Sequence, residues 1–150
     1  MYGKGLQRKV SKYINAGQVN FLKEDISNSE ISNASIVVIN FVLQFLSIKE
    51  RVKLMQKIYQ GLVPGGILIL SEKVHFDSKK RTEEISNIHH SFKAANGYSK
   101  LEISSKRDSL EGVLVTETES QHLDRAKEIG FKVPSKLMSN LNFLTYKFQK

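Results

Sequence analysis

The sequence predicts an open α/β domain, a three-layer sandwich built on a parallel sheet. Three observations carry that expectation. Two apolar runs, Ala34–Phe41 (ASIVVINF) and Ile67–Ser71, lack polar alternation, and strands buried on both faces of a parallel sheet read that way. Between them Val52, Met55, Tyr59 and Leu62 recur at helical spacing beside Leu54 and Ile58, the stripe of a helix packed on a core. A Val63-Pro64-Gly65-Gly66 turn then leads into the second run. Strand, helix, tight turn and strand make a βαβ unit, whose crossover should be right-handed.

The elements follow in order. Gly5–Ala16 reads as a short basic helix with Leu6, Val10, Tyr13 and Ile14 on one side, stopped by Gly17. Val19–Ile26 reads as a strand ending in the acidic pair Glu24 and Asp25. Ala34–Phe41 is expected at the centre of the sheet. Ser47 and Glu50 form an S-x-x-E capping box that opens a helix running to about Leu62. Beyond Glu72 the pattern turns helical. Lys79–Ala95 sets Ile85, Ile88, Phe92 and Ala95 on one stripe and ends at Gly97. Ser99 and Glu102 form a second box for a helix towards Leu110. Thr116 and Glu119 form a third, before a helix with Leu123, Ala126 and Ile129. Gly130-Phe131 supplies a left-handed stop with its apolar contact. Lys136–Phe148 is either one bent strand or an antiparallel pair turning near Asn140–Asn142, with the alternating Phe143–Phe148 at the edge of the sheet. A helical insertion is expected at about 78–111.

Composition narrows the function classes. The chain has 150 residues, 40% hydrophobic and 25% charged, so a single globular domain is expected. There is no cysteine, which excludes disulfides, thiolate metal sites and a cysteine nucleophile. No apolar run is long enough to span a bilayer, and none follows the first lysines, so no signal peptide is read and a cytoplasmic protein is expected. The net charge of +8 includes Lys4, Arg8, Lys9 and Lys12 near the start. Lysines outnumber arginines 18 to 5, a balance that suits a solvated surface better than bidentate base or phosphate reading.

Ligands of open α/β sheets bind outside the carboxyl ends of the strands. That rule nominates Asp25 and Ile26, Asn40 and Phe41, and Ser71 and Glu72. An acid followed by a backbone N–H suits an adenine edge: the carboxylate accepts from the exocyclic amine and the amide donates to a ring nitrogen. Asn40 would serve through its side chain or its backbone. The plainer alternatives are that Asp25 caps the next turn and Asn40 shapes a loop. His89 and His90 are adjacent on a helix and point about 100° apart, which suits a cleft wall rather than a shared metal. Arg107, between Lys106 and Asp108, is either a solvated charge or a clamp for a carboxylate. Gly3-Lys4-Gly5 has no strand before it and carries no phosphate-loop meaning. No nucleophile constellation is present.

The strand ends Asp25-Ile26 and Asn40-Phe41, with Pro64-Gly65-Gly66 before another strand, resemble a Rossmann-like S-adenosylmethionine-dependent methyltransferase. Longer strings are more specific: Asn40-Phe41-Val42-Leu43-Gln44-Phe45-Leu46, Lys57-Ile58-Tyr59-Gln60-Gly61-Leu62, Leu70-Ser71-Glu72-Lys73, and His89 through Ser99 (HHSFKAANGYS) with Leu101-Glu102-Ile103-Ser104 and Lys106-Arg107. From about Gly5 to Phe148 the sequence is similar to the carboxy-S-adenosyl-L-methionine synthase family. The resemblance implies a transferase that takes S-adenosylmethionine and prephenate and makes carboxy-S-adenosylmethionine and phenylpyruvate. The product would pass to a tRNA-modifying carboxymethyltransferase that builds 5-oxyacetyluridine at the wobble position. It also implies a homodimer, with no direct nucleic-acid or membrane binding. Residue by residue, Asp25 and Ile26 match the adenine-binding pair, Asn40 a cofactor-site asparagine, and Arg107 the arginine that meets the ligand carboxylate. No metal is implied. The family's first two strands, its Gly-rich loop and its ribose-binding acid have no counterpart here. The chain is thus expected to be the C-terminal part of one incomplete methyltransferase-like domain, lacking roughly the first third. A tRNA or small-molecule methyltransferase of the same fold, and a non-catalytic remnant or binding module using its basic first helix, are the other readings.

Overall fold

The structure is a computed structural model that describes residues 19–150 together with Ser11 and Gly17. The expected basic helix over Gly5–Ala16 lies outside the described residues, Ser11 apart. The chain divides into two compact units, Met1–Glu30 and Ile31–Lys150.

In the first unit the expected strand over Val19–Ile26 is not formed. An apolar pattern becomes a strand only where a neighbour pairs its backbone groups, and this segment enters no ladder. It ends in a turn instead, with Asn28 N–H donating to Asp25 O at 2.9 Å and Ser27 N–H to Asp25 Oδ1 at 2.8 Å, an Asx-type closure.

The second unit holds a four-stranded mixed sheet in the order β1-β2-β4-β3. Strand β1 (Ala34–Asn40) runs parallel to β2 (Leu62–Lys73), with Val37 opposite Leu68 and Ile39 opposite Leu70. Helix α1 (Ile48–Gly61) joins them, and both halves of its Ser47–Glu50 capping box are formed. The expected Pro-Gly-Gly turn lies inside β2, where the ladder shifts register between Ala34 and Ile36. Gly65 there has φ +80°, and a Cβ on Gly66 would lie 2.9 Å from Val63 O and 3.1 Å from Ala34 O. Helices α2 (Lys79–Ala95) and α3 (Lys100–Asp108) follow, with the Ser99–Glu102 box complete. Helix α4 (Glu119–Ile129) ends on Gly130 at φ +110°. The antiparallel pair β3 (Ser135–Asn140) and β4 (Phe143–Gln149) closes the chain.

Three expectations are corrected. Thr118 and Gln121, not Thr116 and Glu119, cap α4: the Thr116 hydroxyl is taken by His75 Nδ1 at 3.0 Å, and Glu119 binds Tyr146 and Lys136. Strand β4 is interior rather than an edge, paired to β2 on one side and β3 on the other. Its Leu144, Tyr146 and Phe148 are buried, whereas every residue of β3 is exposed. Finally, β1 is not doubly buried. Ile39 is buried, but Ile36 and Val38 on the opposite face are 60% and 55% exposed, because no described element covers that side.

The core therefore lies on one face of the sheet. Leu68, Leu70, Tyr146 and Phe148 are buried with Leu54, Met55 and Ile58 of α1 and Ala126 of α4, each large side chain contributing about 1.5–3 kcal/mol on burial. Phe131, just past the α4 stop, meets Tyr59 and Phe148 edge-on or tilted at 5.0 and 5.8 Å. Beneath α1 sits a buried ionic cluster. Arg51, with no exposed surface, donates from Nε to Leu46 O at 3.0 Å and from Nη2 to Val115 O at 2.7 Å. It pairs with Glu117 at 2.6 Å, and Arg125 binds the other oxygen of that carboxylate. Burial pushes Glu117 up, but the hydrogen bonds and charges of Arg51 and Arg125 outweigh it and hold the carboxyl below its ordinary range. His122, buried beside Arg125, is pushed down to about 4 by its burial, with Arg125, Arg51 and His75 adding to the effect against Glu117.

Candidate functional site

The parallel pairing sets the carboxyl ends of β1 and β2 side by side, with Asn40 opposite Ser71. The chain leaves β1 through Phe41 at φ +57°, a left-handed conformation that non-glycine residues adopt at a cost. What holds it there is Glu72. Phe41 N–H donates to Ser71 O at 2.8 Å. The buried Glu72 carboxylate accepts from Val42 N–H at 3.1 Å and Leu43 N–H at 2.8 Å on one oxygen, and from Gln44 N–H at 3.3 Å on the other. These are orphan donors at the start of the short 3-10 turn Leu43–Phe45. Burial raises the Glu72 carboxyl above its ordinary value, opposed by those amides and by Arg51. Glu72, nominated as a ligand group at a strand end, is a support for the loop that follows Asn40.

Phe41 links this loop to a cavity. Its ring meets Phe143 edge-on at 5.8 Å, and Phe143 meets His89 of α2 edge-on at 5.2 Å. Lys73 Nζ lies over the Phe143 ring at 6.0 Å. Beyond His89 opens a cavity of about 500 Å³ between the end of β2, α2, α3 and the segment after it. Lys73, His89, His90, Lys93, Lys106 and Arg107 line it, and Glu111 is the one acid among its lining residues. Ile103, Leu110 and Leu114 supply apolar wall. Burial and Lys93 both lower Lys73. His89 and His90 are lowered by burial first and then by Lys93, with Arg107 and Lys73 also acting on His90. These shifts describe converging positive charge in a partly dry space.

The resemblance assigns four residues to the site: Asp25, Ile26, Asn40 and Arg107. Asp25 is exposed at the turn that follows Val19–Glu24, its carboxyl lowered by the backbone and hydroxyl of Ser27. It does cap that turn, as the plainer alternative held. Ile26 begins the turn itself. Asn40 ends β1 and is exposed, outside the cavity lining. Arg107 lines the cavity from α3 while donating from Nε and Nη2 to Asp108 Oδ1, both at 3.1 Å. His89 and His90 both line the cavity, where the sequence reading expected one of them to do so. Among the described residues no group of three or more His, Asp or Glu is arranged to hold a metal ion, and no helix is long and apolar enough to cross a membrane. Sequence reasoning missed Lys73, Lys93 and Phe143. The spacing of Lys93 four residues after His89 and three after His90 is the signal that was available, since such residues share a helix face.

Comparison with known proteins bears on the same segment. No family model matches the chain. A curated carboxy-S-adenosyl-L-methionine synthase from Hydrogenovibrio crunogenus is 51% identical over 128 residues, 85% of this chain and 51% of the relative. A synthase of that name from Shewanella halifaxensis is 46% identical over 134 residues, 89% of this chain and 55% of the relative. Over that shared length the chain is similar to proteins named carboxy-S-adenosyl-L-methionine synthase. It spans about half the length of these curated relatives. Solved structures place the family fold. The pyocyanin biosynthetic protein PhzM superposes with a TM-score of 0.67 at 12% identity, covering 96% of this chain and 38% of PhzM. Human N-acetylserotonin methyltransferase in complex with S-adenosylmethionine gives 0.57 at 14% identity, covering 89% and 34%. The mixed sheet is an incomplete Rossmann-like fold of the methyltransferase type.

Proposed function

We propose that this chain is the part of a carboxy-S-adenosyl-L-methionine synthase that carries the carboxylate-binding wall of the active site. The whole enzyme takes S-adenosylmethionine and prephenate and yields carboxy-S-adenosylmethionine, phenylpyruvate and one water. The observation that carries this reading is the roughly 50% identity to named synthases across most of the chain, a stretch that builds a cation-lined cavity around Arg107.

The donor set fits the ligand in part. Asp25 is exposed, and a carboxylate offers about four lone-pair sites, so it retains acceptors for an adenine amine beyond those given to Ser27. The Ile26 N–H would donate to the adenine ring and Asn40 would face the nucleoside. Arg107 would exchange Asp108 for the carboxylate that distinguishes carboxy-S-adenosylmethionine from the ordinary cofactor. S-adenosylmethionine supplies the sulfonium-bound methyl group that accepts the carboxyl. The residues of this chain bind and orient, and the ring of the second substrate finds apolar surface on Ile103, Leu110 and Leu114. In this reading the enzyme is a cytoplasmic homodimer whose product feeds a tRNA wobble-uridine carboxymethyltransferase. The fold alone would equally serve a methyltransferase.

The test is a chimera joining this chain to the half of the Hydrogenovibrio crunogenus synthase that it does not match. With S-adenosylmethionine and prephenate, mass spectrometry should show an adduct heavier by one carboxyl group, and prephenate should be consumed. Arg107→Ala should weaken carboxy-S-adenosylmethionine by about tenfold or more, the loss of a charge-assisted bidentate contact, and S-adenosylhomocysteine by far less. A chimera that methylates RNA or a small molecule and leaves prephenate untouched overturns the reading.

A further inference from the structure

The cavity holds more positive charge than one carboxylate needs. Arg107 stands on α3 and already has Asp108 as a partner at 3.1 Å. Lys73, at the end of β2, and Lys93, on α2, reach the same cavity from two other elements. The one acid in the lining, Glu111, is exposed. His90 feels Lys93, Arg107 and Lys73, so it lies where their fields overlap. Lys73 is half-buried, its Nζ over the Phe143 ring at 6.0 Å. Like charges gathered in a partly desolvated space repel, and an anion entering that space relieves the repulsion and gains from the low dielectric.

We propose that Lys73, Lys93 and His90 form a second anion subsite in the cavity that contains Arg107, so that the two sets together hold both carboxylates of one dicarboxylate substrate. Arg107 takes the carboxylate that is transferred, and Lys73 with Lys93 takes the one that stays on the departing keto acid. The edge-on pair of Phe143 and His89 lies between the subsite and the loop that carries Phe41. The assignment of the dicarboxylate as prephenate rests on the function proposed above; the subsite itself rests on the cavity and its cations.

The experiment needs no S-adenosylmethionine. The 150-residue chain is titrated at pH 8 with prephenate, which has two carboxylates, and with phenylpyruvate, which has one, following the imidazole proton resonances of His89 and His90. Prephenate should bind about tenfold more tightly, the worth of one added charge-assisted contact, and should move the His90 titration to higher pH. Lys73→Met should weaken both ligands by about tenfold, because each carries the carboxylate that stays on the keto acid, while Lys73→Arg should preserve both affinities and Arg107→Met should weaken prephenate alone. Equal affinities in the parent chain, or phenylpyruvate binding unchanged in Lys73→Met, overturn the subsite. If phenylpyruvate binding depends on Lys73 but the chimera makes no carboxylated product, the proposed reaction falls and the subsite stands. If the chimera is active and Lys73→Met leaves phenylpyruvate binding unchanged, the subsite falls and the reaction stands.

Discussion

His122 makes stability depend on pH in a way that one substitution isolates. Its ring is 4% exposed, Nε2 has no hydrogen-bond partner, and Nδ1 lies 3.5 Å from Arg125 Nη1. Neutral in the folded chain down to about pH 4, it binds a proton near 6.5 once unfolded. Between those values the unfolded state holds more protons, so stability rises with pH through that window and is lost as pH falls. At about 1.4 kcal/mol per pH unit, the whole window is worth about 3 kcal/mol, a large share of the ~5–15 kcal/mol typical of a domain. Glu117 contributes separately: its lowered carboxyl stabilises the fold above its ordinary value, and that part is lost only as pH falls below about 4.5. His89 and His90 are also lowered, but they are partly exposed and solvent screening discounts their part. His122→Asn keeps an acceptor near the Nδ1 position and removes the titration. Urea unfolding followed by circular dichroism at pH 7.5, 6.5, 5.5 and 4.5 should show the parent losing about 2.5 kcal/mol across the series and the variant losing far less, whatever its stability at pH 7.5. Parallel curves for the two proteins would refute the burial of a neutral ring at this position.

Two further outcomes follow from packing. Gly61→Ala should cost at least about 2 kcal/mol, because the added Cβ would lie 2.1 Å from the backbone oxygen of Ile31, and a smaller loss by urea unfolding would contradict that approach. Glu72→Gln should destabilise by about 1–3 kcal/mol, since its amide would turn a donor towards one of the three N–H groups that the carboxylate now accepts. Its signature is loosened amide exchange at Val42–Gln44, and unchanged protection there would remove Glu72 from its supporting role.

Local chemistry was the legible part of the fold. The Ser47–Glu50 and Ser99–Glu102 boxes and the Gly130 stop depend on residues within one turn of each other, and each forms where its pattern stands. Thr116 shows the limit: its hydroxyl is captured by His75, 41 positions away, and no local pattern records such competition. Burial was legible only where both partners of a face are present. Ile36 and Val38 carry the same apolar signal as Val37 and Ile39, yet the first pair is exposed while Val37 is half-buried and Ile39 buried. At the site, Arg107 and the two histidines were visible as chemistry-bearing residues. Lys73 and Lys93 read as solvated lysines, because the cavity that joins them is made by a strand end and two helices far apart in sequence.

The uncovered side of β1 has a practical consequence. Among the described residues no strand pairs with its outer edge, which leaves a row of unmatched N–H and C=O groups beside a segment, Ser35–Phe41, that is uncharged and rich in β-branched residues. Such an edge is a template on which any extended chain of matching length can add itself, including the same segment of a second molecule. The +8 net charge then acts as the colloidal restraint that holds molecules apart. That restraint weakens as salt shortens the range of the repulsion. Concentration and ionic strength, more than temperature, would therefore set how long this chain stays monodisperse in solution.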